Sequence, residues 1–261
     1  MPAVQRGRRG AVSEPMRTPK LLREPSPGRR AWAAFGATLL NGGIALGVLA
    51  LVLDRLAPPQ HLPWTPFTLD QPIGMFTGAK LELAKRDPAR CRRVLVEGGV
   101  SFRESEARIS GFCSTADSLR LSGGTTPLAP AGPVMACPLA LEYALWERQV
   151  VRPAARELLG AEVRRIEHFG TYACRRVYGR AEGAPSAHAR AAALDVSGFV
   201  LDDGRRITVA ADWTGEVAEA AFLRRVRSGA CRVFRATLGP DYNAAHADHL
   251  HLDDGRFSAC R

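Results

Sequence analysis

The chain has 261 residues, 46% hydrophobic and 24% charged, which is long enough for a packed core and excludes wholesale disorder. Its formal charge is +10, yet residues 1–30 hold eight Arg and Lys against Glu14 and Glu24. The tail therefore carries +6 and everything after it only +4, so the high charge describes a basic tail and gives no reason to expect nucleic acid as the partner of the folded part.

In chain order, residues 1–30 read as a basic disordered tail, rich in Arg, Pro, Gly and Ser and without an apolar period. Ala31 to Leu53 is an uncharged run of 23 residues. As a helix it reaches roughly 35 Å, enough to cross a hydrocarbon core of about 30 Å. The Arg excess before it places the N-terminus in the cytoplasm and everything after residue 55 beyond the inner membrane, in the periplasm. Val52-Leu53-Asp54 lacks the small-residue pattern of a cleavage site, so an uncleaved single-pass anchor is expected. Cys91, Cys113, Cys137, Cys174, Cys231 and Cys260 all follow it, and an even number in an exported domain predicts disulfides. Spacing leaves their pairing open, and without a C-x-x-C pair a thiolate metal site is not expected.

Residues 54–75, with Pro58, Pro59, Pro63, Pro66 and Pro72, read as an extended tether, and 76–261 as one mixed domain. Within it, Thr77 to Lys85 is predicted helical, and Arg93 to Val96 and Leu119 to Leu121 as strands. Pro138 to Leu159 is predicted as a helix split or kinked at Pro153 and stopped at Gly160. Val163 to His168 alternates as a strand does. Ala193 to Leu201 and Arg206 to Ala210, across Asp202-Asp203-Gly204, predict a β-hairpin. Glu216 to Cys231 follows as an amphipathic helix, and His249 to Leu252 as a last short strand before a closing turn at Asp253 and Asp254. Hairpins and helices without regular βαβ alternation define an α+β class: a small antiparallel sheet flanked by helices.

Four of the six histidines fall in two places, Ser186-Ala-His188 with Asp195, and His246-Ala-Asp248-His249-Leu-His251. Imidazoles and a carboxylate are the donors of a catalytic zinc, which takes three protein ligands and keeps one position open. On one straight strand His188 and Asp195 would lie on opposite faces and over ~20 Å apart, so the chain must bend between them. His249 and His251 share a strand face at roughly 6.6 Å, which favours one as ligand and the other as a supporting group or proton shuttle. His61 and His168 cluster with nothing.

S-x-H-x6-D followed by D-H-x-H resembles the zinc D-Ala-D-Ala peptidases, the superfamily that includes the VanY-type carboxypeptidases (peptidase M15). Over about residues 60–261 the chain more closely resembles bacterial extensin-like C-terminal domain proteins. The matching stretches are Pro63-Trp-Thr-Pro66, Gly170-Thr-Tyr-Ala-Cys-Arg175, Ser186-Ala-His188, Ala193-Leu-Asp-Val-Ser-Gly-Phe199 and Leu238 to His249. The peptidase resemblance implies a Hedgehog/D-Ala-D-Ala peptidase-like fold and zinc held by His188, Asp195 and His251. Asp248 matches the position of a catalytic Glu, as a base one methylene shorter, with His249 as the alternative. Arg175, after Cys174, would polarise the scissile carbonyl or bind a substrate carboxylate, with a surface salt bridge as its other reading. Ser186 would bind substrate, orient His188 or shape the turn. The implied activity is D,D-carboxypeptidase or endopeptidase cleavage of peptidoglycan stem peptides or crosslinks. The other readings are a non-catalytic envelope module with a structural zinc closed by a fourth ligand such as His249, and a His-metal nuclease, which the mildly basic ectodomain disfavours.

Overall fold

A computed structural model describes residues 27–261, so the basic tail falls outside the described residues except for 27–30, which are helical. Helix α1 (Pro27–Leu56) contains the whole apolar run and extends it at both ends. Its 30 residues span about 45 Å, long and apolar enough to cross a membrane. The chain divides at Leu53, and residues from Asp54 onward form a separate unit.

That unit begins earlier than the proline content suggests. Between the prolines stand Leu62, Phe67 and Leu69, all buried, and Phe67 and Leu69 belong to the main core. Most of residues 57–75 is therefore not a free tether, because apolar side chains spaced between prolines pin an extended segment as well as a helix. After it come α2 (Thr77–Lys85), as the sequence predicts, and α3 (Pro88–Glu97). Helix α3 replaces the strand expected at Arg93 to Val96. Asp87 caps it by accepting from the Ala89 amide at 2.9 Å, Pro88 occupies its first turn, and Cys91, Val94 and Leu95 are buried at helical spacing.

A run of short strands follows: β1 (Ser101–Glu104), β2 (Ile109–Ser110), β3 (Cys113–Ser114), β4 (Ser118–Gly123), β5 (Leu128–Ala129) and β6 (Met135–Ala136). Strands β1, β4 and β6 form a small sheet of their own, and β2 pairs with β3. Helix α4 (Cys137–Trp146) continues through a π-turn, Glu147–Val151, into α5 (Arg152–Leu159). Pro153 lies inside this continuous helical path, and the π-turn spans Gln149, four residues back, whose carbonyl the missing N–H would have met. Gly160 ends α5 in the left-handed conformation, φ 63°.

The remaining elements are β7 (Val163–Gly170), β8 (Ala193–Leu201), β9 (Arg206–Thr208), α6 (Val209–Asp212), α7 (Val217–Ala230), β10 (Ala236–Leu238), β11 (Leu250–Asp253) and β12 (Ala259–Cys260). The expected second hairpin strand stops at Thr208 because the Thr208 hydroxyl caps α6. Seven strands make the main sheet, ordered β12-β10-β11-β8-β7-β5, with β9 also on β8. The sheet is mixed rather than purely antiparallel, since β5 runs parallel to β7 and β12 to β10.

The core packs around the α4–α5 segment. Trp146 is fully buried, its Nε1 donates to the Val226 carbonyl at 3.0 Å, and its ring meets Phe199 of β8 and Phe234. Gly229 of α7 lies against Val150, where a Cβ would stand 2.2 Å from a valine methyl, so this approach requires glycine. Alternation along β8 and β11 sends Leu194, Val196, Leu250 and Leu252 into the core. The same period turns Asp195, His251 and Asp253 to the opposite face.

Candidate metal centre

Residues Asp195 and His251 are direct cross-strand partners of β8 and β11, which sets their side chains together on one face. His188 reaches them by the bend its spacing demands. A 3-10 turn, Ala187–Arg190, starts at Ser186, whose hydroxyl accepts from the His188 amide at 3.3 Å. It ends at Ala191 in the left-handed region, φ 50°, from which the chain turns into β8. Ligand-capable atoms of His188, Asp195 and His251 all lie within 4.8 Å of one another, an arrangement that could hold one ion.

The nitrogens face inward in a defined way. His188 Nε2 is 3.1 Å from Asp195 Oδ2, His251 Nδ1 is 2.8 Å from Asp195 Oδ1, and the two nitrogens are 3.3 Å apart. Each ring's other nitrogen is tied outward. His188 Nδ1 donates to the Thr171 carbonyl at 3.2 Å, and His251 Nε2 donates to Asp253 Oδ2 at 2.8 Å. Such outer contacts fix tautomer and ring orientation in metal-binding histidines. Burial pushes the Asp195 carboxyl up, but the hydrogen bonds and charges of His188 and His251 outweigh it and hold the group far below the ordinary carboxylate range. Burial works against the His251 cation, yet Asp195 and Asp253 push it up to about 9. His246 is lowered to about 4, by burial first and then by the neighbouring His251 and His249.

Asp253 is the residue that the sequence reading missed. It belongs to β11 rather than to a closing turn, and its second oxygen accepts from the Gly255 amide at 2.7 Å. The signal was present: His249, His251 and Asp253 share one parity, hence one strand face. Asp254 turns the other way, into an ion cluster with the buried Lys85 and Glu142, at 2.7 and 2.6 Å from Lys85 Nζ. This cluster ties α2 and α4 to the end of β11.

A cavity of about 410 Å³ opens over the three donors. Arg175, Ser186, His246 and His249 line it, with Tyr178 and Tyr242 as an aromatic wall. Tyr178 holds a left-handed backbone, φ 56°, and its hydroxyl accepts from Asn243 Nδ2 at 3.2 Å. The Arg175 guanidinium has neither ion-pair nor hydrogen-bond partner among the described residues, so the salt-bridge reading does not describe it. Its loop is held by the Cys113–Cys174 disulfide and by the Ser186 amide, which donates to the Arg175 carbonyl at 3.1 Å. The other cysteines pair as Cys91–Cys137 and Cys231–Cys260, leaving no free thiol.

His249 precedes β11 instead of belonging to it. Its Nε2 lies 3.6 Å from Asp195 Oδ1, and its Nδ1 donates to Asp248 Oδ1 at 2.8 Å. Asp248 is over half exposed and does not line the cavity; its hydrogen bond toward the site is the one to His249. His168 stays apart, buried with Nε2 donating to the Pro130 carbonyl at 2.8 Å, and His61 accepts from the Met75 amide.

The fold and site together define an α+β domain with a His-Asp-His cluster at the floor of a cleft. The family described as extensin-like protein C-terminus matches residues 89–261, two thirds of the chain, and this protein belongs to that family. Comparison with curated proteins and with solved structures gives no match.

Proposed function

We propose that this protein is a membrane-anchored periplasmic zinc hydrolase that cleaves amide bonds in peptidoglycan stem peptides or crosslinks. The observation that carries the reading is the donor cluster itself. Two imidazole nitrogens and a carboxylate converge, and each imidazole is fixed from behind by an oxygen acceptor. That donor chemistry fits zinc, and the similarity of the two motifs to zinc D-Ala-D-Ala peptidases gives the reaction class. Export is supported by the basic N-terminal flank of α1 and by three disulfides placed entirely after it.

His188, Asp195 and His251 would hold the ion, which when bound supplies Lewis-acid polarisation and a water acidic enough to react near neutral pH. The protein's own groups then divide the work. His249 lines the cavity with its Nδ1 2.8 Å from Asp248 Oδ1, so in this reading it is the group placed to take a proton from water and return it to the leaving amine. Asp248 is in this reading the group that orients His249 rather than the base. Arg175, exposed at the cavity wall and without a guanidinium partner among the described residues, binds the carbonyl or carboxylate of the substrate.

The approach of His249 Nε2 to Asp195 also favours a second reading, a non-catalytic envelope module in which His249 closes a structural zinc. The two separate on the full-length chain purified in detergent, loaded with zinc and incubated with a muropeptide panel. The hydrolase reading expects released amine groups, lost in His188→Ala. Stoichiometric zinc without turnover on any muropeptide would reject it for the structural module.

A further inference from the structure

Beside the metal-centre cavity lies a second one of about 380 Å³. The two share Val177, Ala187, Asp253 and Phe257 in their walls, so they adjoin along one side. Arg190 and Arg256 line the second and not the first, and Arg256 also borders a third cavity whose wall holds Glu82 and Asp254. Their positions follow from the metal site. Arg190 ends the 3-10 turn that carries His188, and Arg256 lies in the segment just beyond Asp253.

Both guanidiniums are exposed and have no ion-pair or hydrogen-bond partner among the described residues. Some surface arginines meet acids, as in Arg92–Glu104, Arg148–Asp70 and Arg206–Glu167, and others such as Arg90, Arg93 and Arg164 have no such partner among the described residues; what distinguishes Arg190 and Arg256 is that they share the wall of one cavity. The only acid in the second cavity's wall is Asp253, and its oxygens are taken by His251 and the Gly255 amide. Two cations thus face a cavity with no free anion to neutralise them. Phe112, with Arg176 stacked 4.7 Å over its ring, and Phe257 supply apolar wall around them.

We propose that this second cavity is a carboxylate subsite, in which Arg190 and Arg256 bind an acidic side group of the peptide whose amide bond lies at the metal centre. The inference rests on the hydrolase reading and narrows its substrate to peptides with a free carboxylate near the cleaved bond. A flexible peptide can bridge adjoining cavities, and guanidinium is the side chain best matched to a carboxylate.

The test uses two stem pentapeptides, L-Ala-γ-D-Glu-L-Lys-D-Ala-D-Ala with the glutamyl α-carboxylate free and its α-amidated twin. The zinc-loaded full-length chain is compared with the Arg190→Gln/Arg256→Gln double variant. Wild type should favour the free acid by about tenfold or more in kcat/KM, and the ratio should fall to about one in the double variant. The charge-keeping Arg190→Lys/Arg256→Lys variant should keep part of the preference. Equal processing of the twins by wild type, or a preference that survives the glutamine variant, overturns the subsite and leaves the hydrolase reading standing. Binding of both peptides by calorimetry covers the opposite case. Tighter, arginine-dependent binding of the free acid without turnover of either twin supports the subsite while rejecting the hydrolase.

Discussion

Removing the Asp253 carboxylate should weaken metal binding although Asp253 is not among the three converging donors. Asp253 Oδ2 receives the Nε2 proton of His251 at 2.8 Å, and Oδ1 receives the Gly255 amide at 2.7 Å. One oxygen thus aims the His251 ring, and the other fixes the carboxylate that does the aiming. In Asp253→Asn the amide cannot accept from both partners with the same strength, and one orientation sets its NH₂ against the His251 N–H. In Asp253→Ala both contacts vanish. Loss of such an outer contact lowers metal affinity by about 10–100-fold, or about 1.4–2.7 kcal/mol. Asn should fall near the lower figure and Ala near the upper one. Competition with a chromophoric zinc chelator at neutral pH reads the affinity, and the midpoint of urea unfolding in the metal-free protein controls for the lost turn. His251→Ala serves as the reference for a missing ligand. Unchanged zinc affinity in both Asp253 variants, beside its loss in His251→Ala, would refute the claim that Asp253 sets the ligand's orientation.

Three further outcomes follow from the same structure. If His249 is the base, His249→Ala should lower kcat by about 10²–10⁴ with zinc retained, and Asp248→Ala by less, so a larger loss in Asp248→Ala would make Asp248 the base itself. The Cys113→Ser/Cys174→Ser pair opens a loop with a sequence separation of 61 and should cost about 4 kcal/mol, seen as a Tm drop of roughly 10 °C; an unchanged Tm would contradict it. His168 is held below its ordinary value of 6.5, by burial first. Its neutral folded form takes up fewer protons than the unfolded chain, so its contribution falls as pH drops below about 6.5. Urea unfolding should show less acid loss in His168→Gln than in wild type, and equal pH profiles would reject this.

Much of the layout was legible where a local signal had no competitor. Helix α2, the stop at Gly160, strand β7 and the hairpin of β8 and β9 all follow from period, glycine position or turn chemistry. The strand expected at Arg93 to Val96 failed because a short apolar run fits either period, and the Asp87-Pro88 start signal outweighs it. The proline-rich stretch misled for another reason. Proline excludes helix but not burial, and Leu69 is as deep as any core residue. At the site, the two motifs marked the donors, and spacing required the bend that Ala191 makes in a left-handed conformation. Cross-strand register, disulfide pairing and the aromatic wall of Tyr178 and Tyr242 depend on contacts between distant segments, which no single-segment pattern encodes. The role of Asp253 lay in between, readable from strand parity but passed over for its place beside Asp254 and Gly255.

In the proposed reading, His188, Asp195 and His251 share one zinc ion. Metal analysis with zinc-edge X-ray absorption on the full-length chain tests it most directly, beside Asp195→Ala. One zinc per chain is expected, with a nitrogen and oxygen shell at about 2.0–2.2 Å, imidazole scattering, and loss of the metal in the variant. A protein that takes up no zinc, or one whose zinc persists unchanged in Asp195→Ala, would contradict it.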